Sequence, residues 1–237
     1  MITTIHQPEH LPWIGFFQKM SMAETYIILD NVQYRKGYYQ NRNRIMGTNG
    51  SQWINVPVQS KGCLNTTLQD ILIDDKTNRN WRKKYLNTIY CSYRKCPYFD
   101  KYYRYLEELM DKSYTNLCNL NIDIIMYFAD VLDIHPNFIR ASDLSAEGHK
   151  SDLILSLCKT VGADVYISGT SGRDYMKLDD YRDAGIKIVF QEMKHPVYIQ
   201  HNNQGFEPYM SVLDLLFNVE QKDAQRIVKE SGYCVDE

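Results

Sequence analysis

The chain has 237 residues, of which 44% are hydrophobic, and its formal net charge at pH 7 is −2. This length suits one large domain, and we expect a single α/β domain over residues 1–237. The small net charge excludes a global basic field for nucleic acid or an anionic membrane, so any anion site must be local. No segment approaches the roughly 20 apolar residues that span a bilayer, and the start lacks the regions of a signal peptide. We therefore expect a cytoplasmic protein without membrane insertion.

Strands and turns around one early helix dominate the first third of the chain. An Asn-Gly pair at residues 49–50, between apolar alternations, is a strong hairpin signal. The predicted elements are strands at 2–5 and 25–30 around a helix at 13–20, hairpin strands at 43–46 and 53–58, and a short strand at 68–73.

Helical periodicity then replaces the strand pattern. Residues 78–134 predict three helices, which we interpret as an inserted helical region or a lid. The later predicted elements are a strand at 138–140, a helix at 151–161 that ends at Gly162, a buried strand at 163–169, a short helix that ends at Gly185, a strand at 186–191, and helices at 212–217 and 224–230. Strands alternate with helices at both ends of the chain, which predicts an α/β fold with a mainly parallel open sheet.

Two histidines follow the first strand: His6 ends it, and His10 comes four residues later. A His-x-x-x-His pair can bind metal when both lie on a helix, but Pro8 and Pro12 disfavour a helix here, and we predict no metal site. A structural role is the plain alternative. Because ligands of open α/β sheets bind at the carboxyl ends of the strands, we expect His6 to meet a nucleotide phosphate. Gln7, Pro8 and His10 are expected at the same site.

A glycine-containing segment follows the predicted strand at 163–169. Its candidate binding residues are Gly169, Thr170, Ser171, Gly172, Arg173, Asp174 and Tyr175. The glycines allow close backbone approach to a ligand, the two hydroxyl side chains add donors, and the arginine can grip an anion with two donors. We therefore predict phosphate binding here, against the alternative of a polar loop that caps the sheet. The Gly-Lys-Ser/Thr ending of a P-loop is absent.

The segment after the second predicted strand is rich in amide and basic side chains. Its candidate substrate-binding residues are Asp30, Gln33, Tyr34, Asn41, Arg42 and Asn43. Aromatic and basic residues also alternate over 34–39, as in patches that stack RNA bases, but the net charge disfavours RNA. A solvated hairpin is the other alternative.

The carboxyl-terminal third contributes a substrate rim. We expect His195 and Gln200 there, beside a core that includes Phe206, Tyr209 and Leu213. The six cysteines form no Cys-x-x-Cys pair, so we expect reduced thiols that pack as small hydrophobic side chains.

Several of these motifs occur together, in order, along nearly the whole chain. They are His6-Gln7-Pro8 with Leu11-Pro12-Trp13 and Gly15, Asp30 to Tyr34, Asn41-Arg42-Asn43, Tyr166 to Tyr175, and Phe206-Glu207-Pro208-Tyr209 with Ser211 to Asn218. In this combination they resemble the WbqC-like proteins, a bacterial family. Its genes often lie among those for O-antigen or other surface-glycan assembly, so the resemblance implies a role in that process.

The strand–histidine–helix–strand start also resembles nucleotidyltransferases and pantothenate synthetase-type ligases, whose signature is His-x-Gly-His followed by a later serine- and basic-residue-rich loop. Residues 170–176 are similar in character to that loop. This chain departs from the signature, because the spacing from His6 to His10 is one residue longer and no glycine precedes His10.

These resemblances imply an ATP-dependent ligase, or an acyl or aminoacyl transferase, that modifies the amine of a nucleotide-linked sugar. His6 and Arg173 are then catalytic: the histidine stabilises negative charge on phosphate, and the arginine clamps phosphate together with Ser171. ATP and Mg²⁺ are the expected cofactors, with Asp30 or Asp174 holding the metal through water.

Two other functions stay open at this point. A non-catalytic protein that binds a nucleotide-linked sugar would need the same pocket, and an RNA-binding module would show a steep salt dependence. The expected partner is a nucleotide or nucleotide sugar rather than nucleic acid, and a homodimer is left open.

Overall fold

The structure, a computed structural model, describes residues 1–59, 66–201 and 205–236. The strands are β1 (Ile2–His6), β2 (Thr25–Ile28), β3 (Arg42–Gly47), β4 (Gly50–Asn55), β5 (Asn137–Arg140), β6 (Val165–Ser168), β7 (Lys187–Met193) and β8 (Gly232–Asp236). The helices are α1 (Ile14–Ser21), α2 (Trp81–Tyr93), α3 (Phe99–Asp111), α4 (Leu117–Val131), α5 (Ser151–Val161), α6 (Leu178–Asp183), α7 (Val212–Asn218) and α8 (Gln221–Glu230).

Within the described residues, six strands form one sheet in the order β5-β2-β1-β6-β7-β8. All neighbours are parallel except β7 and β8, which are antiparallel. The chain builds the sheet outward from β1 through β2 to β5, then returns to the other side of β1 to add β6 and β7. This reversal creates a switch point between β1 and β6, where open α/β sheets bind ligands. The predicted mainly parallel α/β fold and the separate hairpin of β3 and β4 are confirmed.

Helices cover both faces of the sheet because the strands are apolar on both sides. On β2, Tyr26 and Ile28 pack into one apolar cluster with α1, α4 and α7, whereas Ile27 packs into a second cluster with α5 and α6. Strands buried on both faces are typical of parallel sheets. Three layers result, with β1 in the middle of the central layer.

The helices α2, α3 and α4 fall where helical periodicity predicted them. Their apolar residues belong to the same cluster as α1 and the hairpin, so the region packs directly on the rest of the chain. A lid role stays a prediction, as does the division into one domain with a helical subregion.

Two predictions about local structure are wrong, and one strand was missed. Leu68–Asp70 is a 3-10 helix rather than the start of a strand, and the hydroxyl of Thr67 bonds to the Asp70 carboxylate 2.6 Å away within that turn. The edge strand β8 was not predicted, because its pairing with β7 is a long-range contact. Tyr209 is 55% exposed rather than core, at a backbone φ of +62°.

The thiols and the helices bear on two other expectations. Five cysteines are free in the part of the chain that the structure describes, three of them buried (Cys96, Cys118 and Cys158), and Cys63 lies outside the described residues. Across the described ranges, no helix is both long and apolar enough to cross a membrane.

Candidate functional site

The carboxyl ends of three neighbouring strands bring predicted site residues to one edge of the sheet. His6 ends β1 opposite Ile28, two residues before Asp30. On the other side of β1, Thr4 lies opposite Ile167, so β6 ends beside His6. The segment that begins at His6 and the segment 169–175 therefore meet at the switch point, as the parallel arrangement requires.

His6 is a neutral ring in this setting. Its Nδ1 lies 3.1 Å from the carbonyl oxygen of Gln7, and its edge packs on Phe16 with ring centroids 4.9 Å apart. Burial, and then the nearby Lys19 ammonium, lower the pKa of His6 from 6.5 to about 3. With Nδ1–H donating to that carbonyl, Nε2 is a hydrogen-bond acceptor. Because His6 is neutral, the positive charge next to its ring is the Lys19 ammonium.

Lys19 is a buried cation that the sequence analysis did not single out. Its side chain, on α1 one turn after Phe16, is 3% exposed, and Nζ donates to the carbonyl oxygen of Ile5 at 3.3 Å. Burial lowers its pKa from 10.5 to about 8, and the Glu9 carboxylate opposes that shift. Every other residue of 14–20 is also buried. A lysine in the helix that begins with the apolar run Ile14–Phe17 was the available signal.

Glu9 is only partly exposed, and it interacts electrostatically with Lys19. Burial raises the pKa of its carboxyl from 4.5 to about 7, and Lys19 acts in the opposite direction. The hydroxyl of Tyr26 is also buried here, with no hydrogen-bond partner among the described residues, and burial and Glu9 raise its pKa. We call His6, Glu9, Lys19 and Tyr26 the acid–base cluster. Of these four, Glu9 and Lys19 have pKa values near neutrality, about 7 and about 8, and can exchange protons at physiological pH, which is typical of active sites.

His10 is fully buried behind this edge. Its Nδ1 lies 2.9 Å from Oδ1 of Asn121, and its Nε2 lies 2.7 Å from the hydroxyl of Tyr85. Both ring nitrogens thus contact the helical region, which gives His10 a positioning role for the loop that carries Glu9.

The same loop is tied at several other points. Asn121 donates to the carbonyl oxygens of Pro8 and Gln40 at 2.9 and 2.7 Å, and Gln40 donates to Oε1 of Gln7 at 2.6 Å. Asn43 donates to the carbonyl oxygens of residues 10 and 11 at 3.1 and 2.8 Å. Asn121 and Gln40, which the sequence analysis missed, therefore fix the loop as much as the predicted residues do.

Burial of neutral His10 makes stability depend on pH. Its pKa falls from 6.5 to about 4, chiefly through burial, so the unfolded chain binds a proton first as the pH falls below 6.5. The free energy of unfolding decreases through that range. His10 contributes about 2 kcal/mol of this decrease between about pH 7.5 and about pH 5. Urea unfolding of the wild type and of His10→Gln at both pH values measures this. The wild type is expected to lose about 2 kcal/mol more than the variant, since Glu9 and His6 titrate in both; equal losses would contradict it.

Asp30 is fully buried, and its carboxylate is well supplied with donors. Arg140 Nε lies 2.7 Å away, and the amide and hydroxyl of Ser142 lie 2.9 and 2.8 Å away. These contacts join the ends of β2 and β5. Asp30 is therefore positioned at the sheet edge by structural partners, and its predicted role in orienting an acceptor stays a prediction.

The segment 169–175 is a tight 3-10 turn over Thr170–Asp174. Gly172 approaches Ser168 so closely that a Cβ would lie 2.0 Å from the serine Oγ, which only glycine avoids. Arg173 lies over the ring of Phe190 at 4.3 Å and pairs with Glu192 at 2.9 Å. Thr170, Ser171, Asp174 and Tyr175 are exposed around this turn.

Some residues of the hairpin and its preceding loop form internal hydrogen bonds, and others lie at the surface. Asn41 accepts a hydrogen bond from the Tyr34 hydroxyl at 3.1 Å and donates to the carbonyl of Val56 at 2.8 Å. Arg42 donates to the carbonyl oxygen of Gly37 and lies over the exposed Trp53 ring. Gln33 is exposed and forms a bridge with Thr67. Arg42 is thus the predicted hairpin residue that reaches the outer surface beside an aromatic ring.

His195 and Gln200 have different surroundings. His195 is half-buried against Trp13 and Tyr209, it accepts from the Tyr209 amide at 3.0 Å, and burial lowers its pKa. Gln200 is buried and donates to the Asp214 carboxylate at 2.7 Å. That carboxylate, whose pKa burial raises, also accepts hydrogen bonds from Tyr93 and Tyr198. His195 is therefore only half-buried, whereas Gln200 lies in the interior, and their role at a substrate rim stays a prediction.

Two concavities, of about 390 and 490 Å³, lie at 178–188 with Asp236 and at 76–84, away from the acid–base cluster. In the ranges 1–59, 66–201 and 205–236, no group of three or more His, Cys, Asp or Glu side chains is arranged to hold a metal ion.

Known proteins are similar to this chain over most of its length. The WbqC-like protein family matches residues 7–226, which include Glu9, Lys19 and the whole sheet apart from β1 and β8. The chain belongs to the WbqC-like protein family. This WbqC-like chain is also 31% identical over 216 residues to the uncharacterized protein Rv1507c of Mycobacterium tuberculosis (strain ATCC 25618 / H37Rv), covering 91% of this chain and 92% of that protein. No solved structure matches it.

Proposed function

We propose that this WbqC-like protein is a cytoplasmic enzyme of surface-glycan assembly that transfers an acyl or aminoacyl group to the amine of a nucleotide-linked sugar. The observation that carries the proposal is the acid–base cluster at the carboxyl end of β1, beside the switch point of the sheet. A buried cation and a carboxyl group that titrates near neutrality are expensive to maintain in a core, which favours a catalytic role over a structural one.

The chemistry of amine acylation matches this pair. The sugar amine attacks the carbonyl carbon of an activated acyl donor, the bond from that carbon to its leaving group breaks, and the nitrogen loses a proton. Glu9, with a pKa near 7, can accept that proton efficiently at physiological pH. Lys19 can stabilise the negative charge that develops on the carbonyl oxygen or the leaving group. His6 Nε2 can accept a hydrogen bond from the amine and orient it.

ATP is the proposed source of activation in the ligase form of the reaction, and ATP would bring Mg²⁺ to neutralise its phosphates. Asp30 is already satisfied by Arg140 and Ser142, so the exposed Asp174 is the better candidate for a water-mediated contact to that metal. The exposed hydroxyls of Thr170 and Ser171 suit phosphate oxygens. Arg173 can join them only by exchanging its Glu192 partner for phosphate.

Turnover is the measurement that tests the proposal. The protein is incubated with ATP, Mg²⁺, an amino-sugar nucleotide and a pool of small carboxylic and amino acids, and AMP, pyrophosphate and N-acylated sugar are detected. We expect His6→Ala and Arg173→Ala each to lower turnover about tenfold or more. Arg182→Ala, which removes an exposed arginine paired with Asp179, is the matched control and should be unchanged. Binding of the sugar nucleotide without turnover of any donor would instead identify a non-catalytic binding protein.

A further inference from the structure

We infer that Tyr39, Arg42 and Trp53 form a binding platform for the nucleoside diphosphate part of a nucleotide-linked sugar. The inference rests on the proposed function and deepens it, because it assigns the handle of the substrate to a surface outside the acid–base cluster. Three independent features carry it: local charge, exposed aromatic rings, and hydrogen bonds that connect the platform to the loop of Glu9.

Positive charge is concentrated on this part of the surface. Residues 31–59 contain Arg35, Lys36, Arg42 and Arg44 and no acidic residue, in a chain whose net charge is −2. Glu207 neutralises Arg44, whereas the other three are not ion-paired within the described residues. A local cationic patch on an otherwise near-neutral protein attracts a small, highly charged anion such as a diphosphate.

Large aromatic rings are exposed among these cations. Trp53 is 45% exposed and Tyr39 is 43% exposed, with their ring centroids 5.8 Å apart. The Arg42 guanidinium lies 4.1 Å from the centre of the Trp53 ring, and Arg42 Nε is buried with no hydrogen-bond partner among the described residues. Exposed aromatic faces beside arginine are suited to stacking a nucleobase while the cation contacts phosphate.

The platform adjoins the proposed reaction centre. The amide of His10 donates to the carbonyl oxygen of Tyr39 at 2.9 Å. The next residue, Gln40, donates to Gln7, which follows His6. A diphosphate therefore can link a base on the platform to a sugar near Glu9. The patch is confined to one hairpin and its preceding loop, which fits a single nucleotide better than the long basic track that RNA uses.

The test is calorimetric titration of the full chain with UDP, dTDP, GDP and CDP. We expect at least one diphosphate to bind, and we expect Trp53→Ala to weaken its binding by about tenfold. Trp53→Phe, which keeps a stacking face, should weaken it by about threefold or less. Arg42→Gln should weaken binding of the diphosphate more than binding of the corresponding nucleoside. Tyr233→Ala, which removes an exposed ring on β8, is the matched control and should bind like the wild type.

The outcomes separate this inference from the proposed function. Wild-type affinity in both Trp53→Ala and Arg42→Gln would overturn the platform while leaving the transfer reaction intact. Acyl transfer without measurable binding of any diphosphate would overturn the platform as well. Tighter binding of oligouridylate than of any diphosphate, with a steep loss of affinity in salt, would identify an RNA surface instead.

Discussion

Lys19→Met is expected to abolish acyl transfer while making the protein more stable. The pKa of Lys19 is lowered from 10.5 to about 8 by burial, so the folded state disfavours the ammonium form at pH 7 by about 3 kcal/mol. Methionine fills a similar volume without a charge, and we expect the free energy of unfolding to rise by about 1–3 kcal/mol. Loss of the charge that stabilises the transition state should lower turnover by about a hundredfold or more.

Urea unfolding and the turnover assay together check this expectation. Since the folded pKa of Lys19 lies below the unfolded one, wild-type stability should rise as the pH increases from about 8 to about 10.5, and Lys19→Met should lack that rise. Lys159→Met removes an exposed lysine from α5 and should change neither property. A Lys19→Met protein that is less stable and still active would show that Lys19 is a structural residue.

Asn121→Ala is expected to cause the largest loss of stability among the polar substitutions considered. The amide is fully buried and bonds to His10, to the carbonyl of Pro8 and to the carbonyl of Gln40. Its removal leaves three buried polar groups without their partner, and each such group costs about 1–3 kcal/mol. Partial relaxation reduces the sum, so we expect a loss of about 3–5 kcal/mol.

The loop should also lose its geometry, because Asn121 is the point where α4 holds both Pro8 and the ring of His10. Turnover measured well below the melting temperature should therefore fall along with stability. Asn87→Ala, an exposed substitution on α2, is the matched control, with an expected change within about 0.5 kcal/mol. Asn121→Ala with wild-type stability would mean that the other contacts of the loop, those of Asn43, Gln40 and Tyr85 among them, hold it without Asn121.

Local sequence patterns predicted most helices and strands because their signals are short-range. The helix at 151–161 and its end at Gly162, which adopts a φ of +70°, follow from periodicity and from the conformational freedom of glycine. The hairpin follows from its Asn-Gly turn. The 3-10 helix at 68–70 and strand β8 were not predictable in this way. The backbone amides of Leu68 and Gln69 donate to the carbonyl oxygens of Val32 and Asp30, and β8 pairs with a distant strand, so both depend on long-range contacts.

The site was predicted in location more than in composition. His6 and the segment 169–175 were placed at one sheet edge because parallel strands end together, and the structure has them there. Lys19 and Glu9 were missed as a pair. Ten residues separate them in the sequence, and the feature that distinguishes them is burial, which lowers the pKa of the lysine and raises that of the glutamate.

The sequence by itself therefore determined the alternation of elements, the parallel sheet, the sheet edge at which the candidate segments meet, and the family. Only the tertiary structure decided which side chains are chemically distinctive. Asp30, Asn43 and His10 became internal hydrogen-bond partners, whereas Lys19 remained buried with a carbonyl contact as its one hydrogen bond among the described residues. The physical reason is that propensity and periodicity are local, while desolvation depends on every element packed around a group.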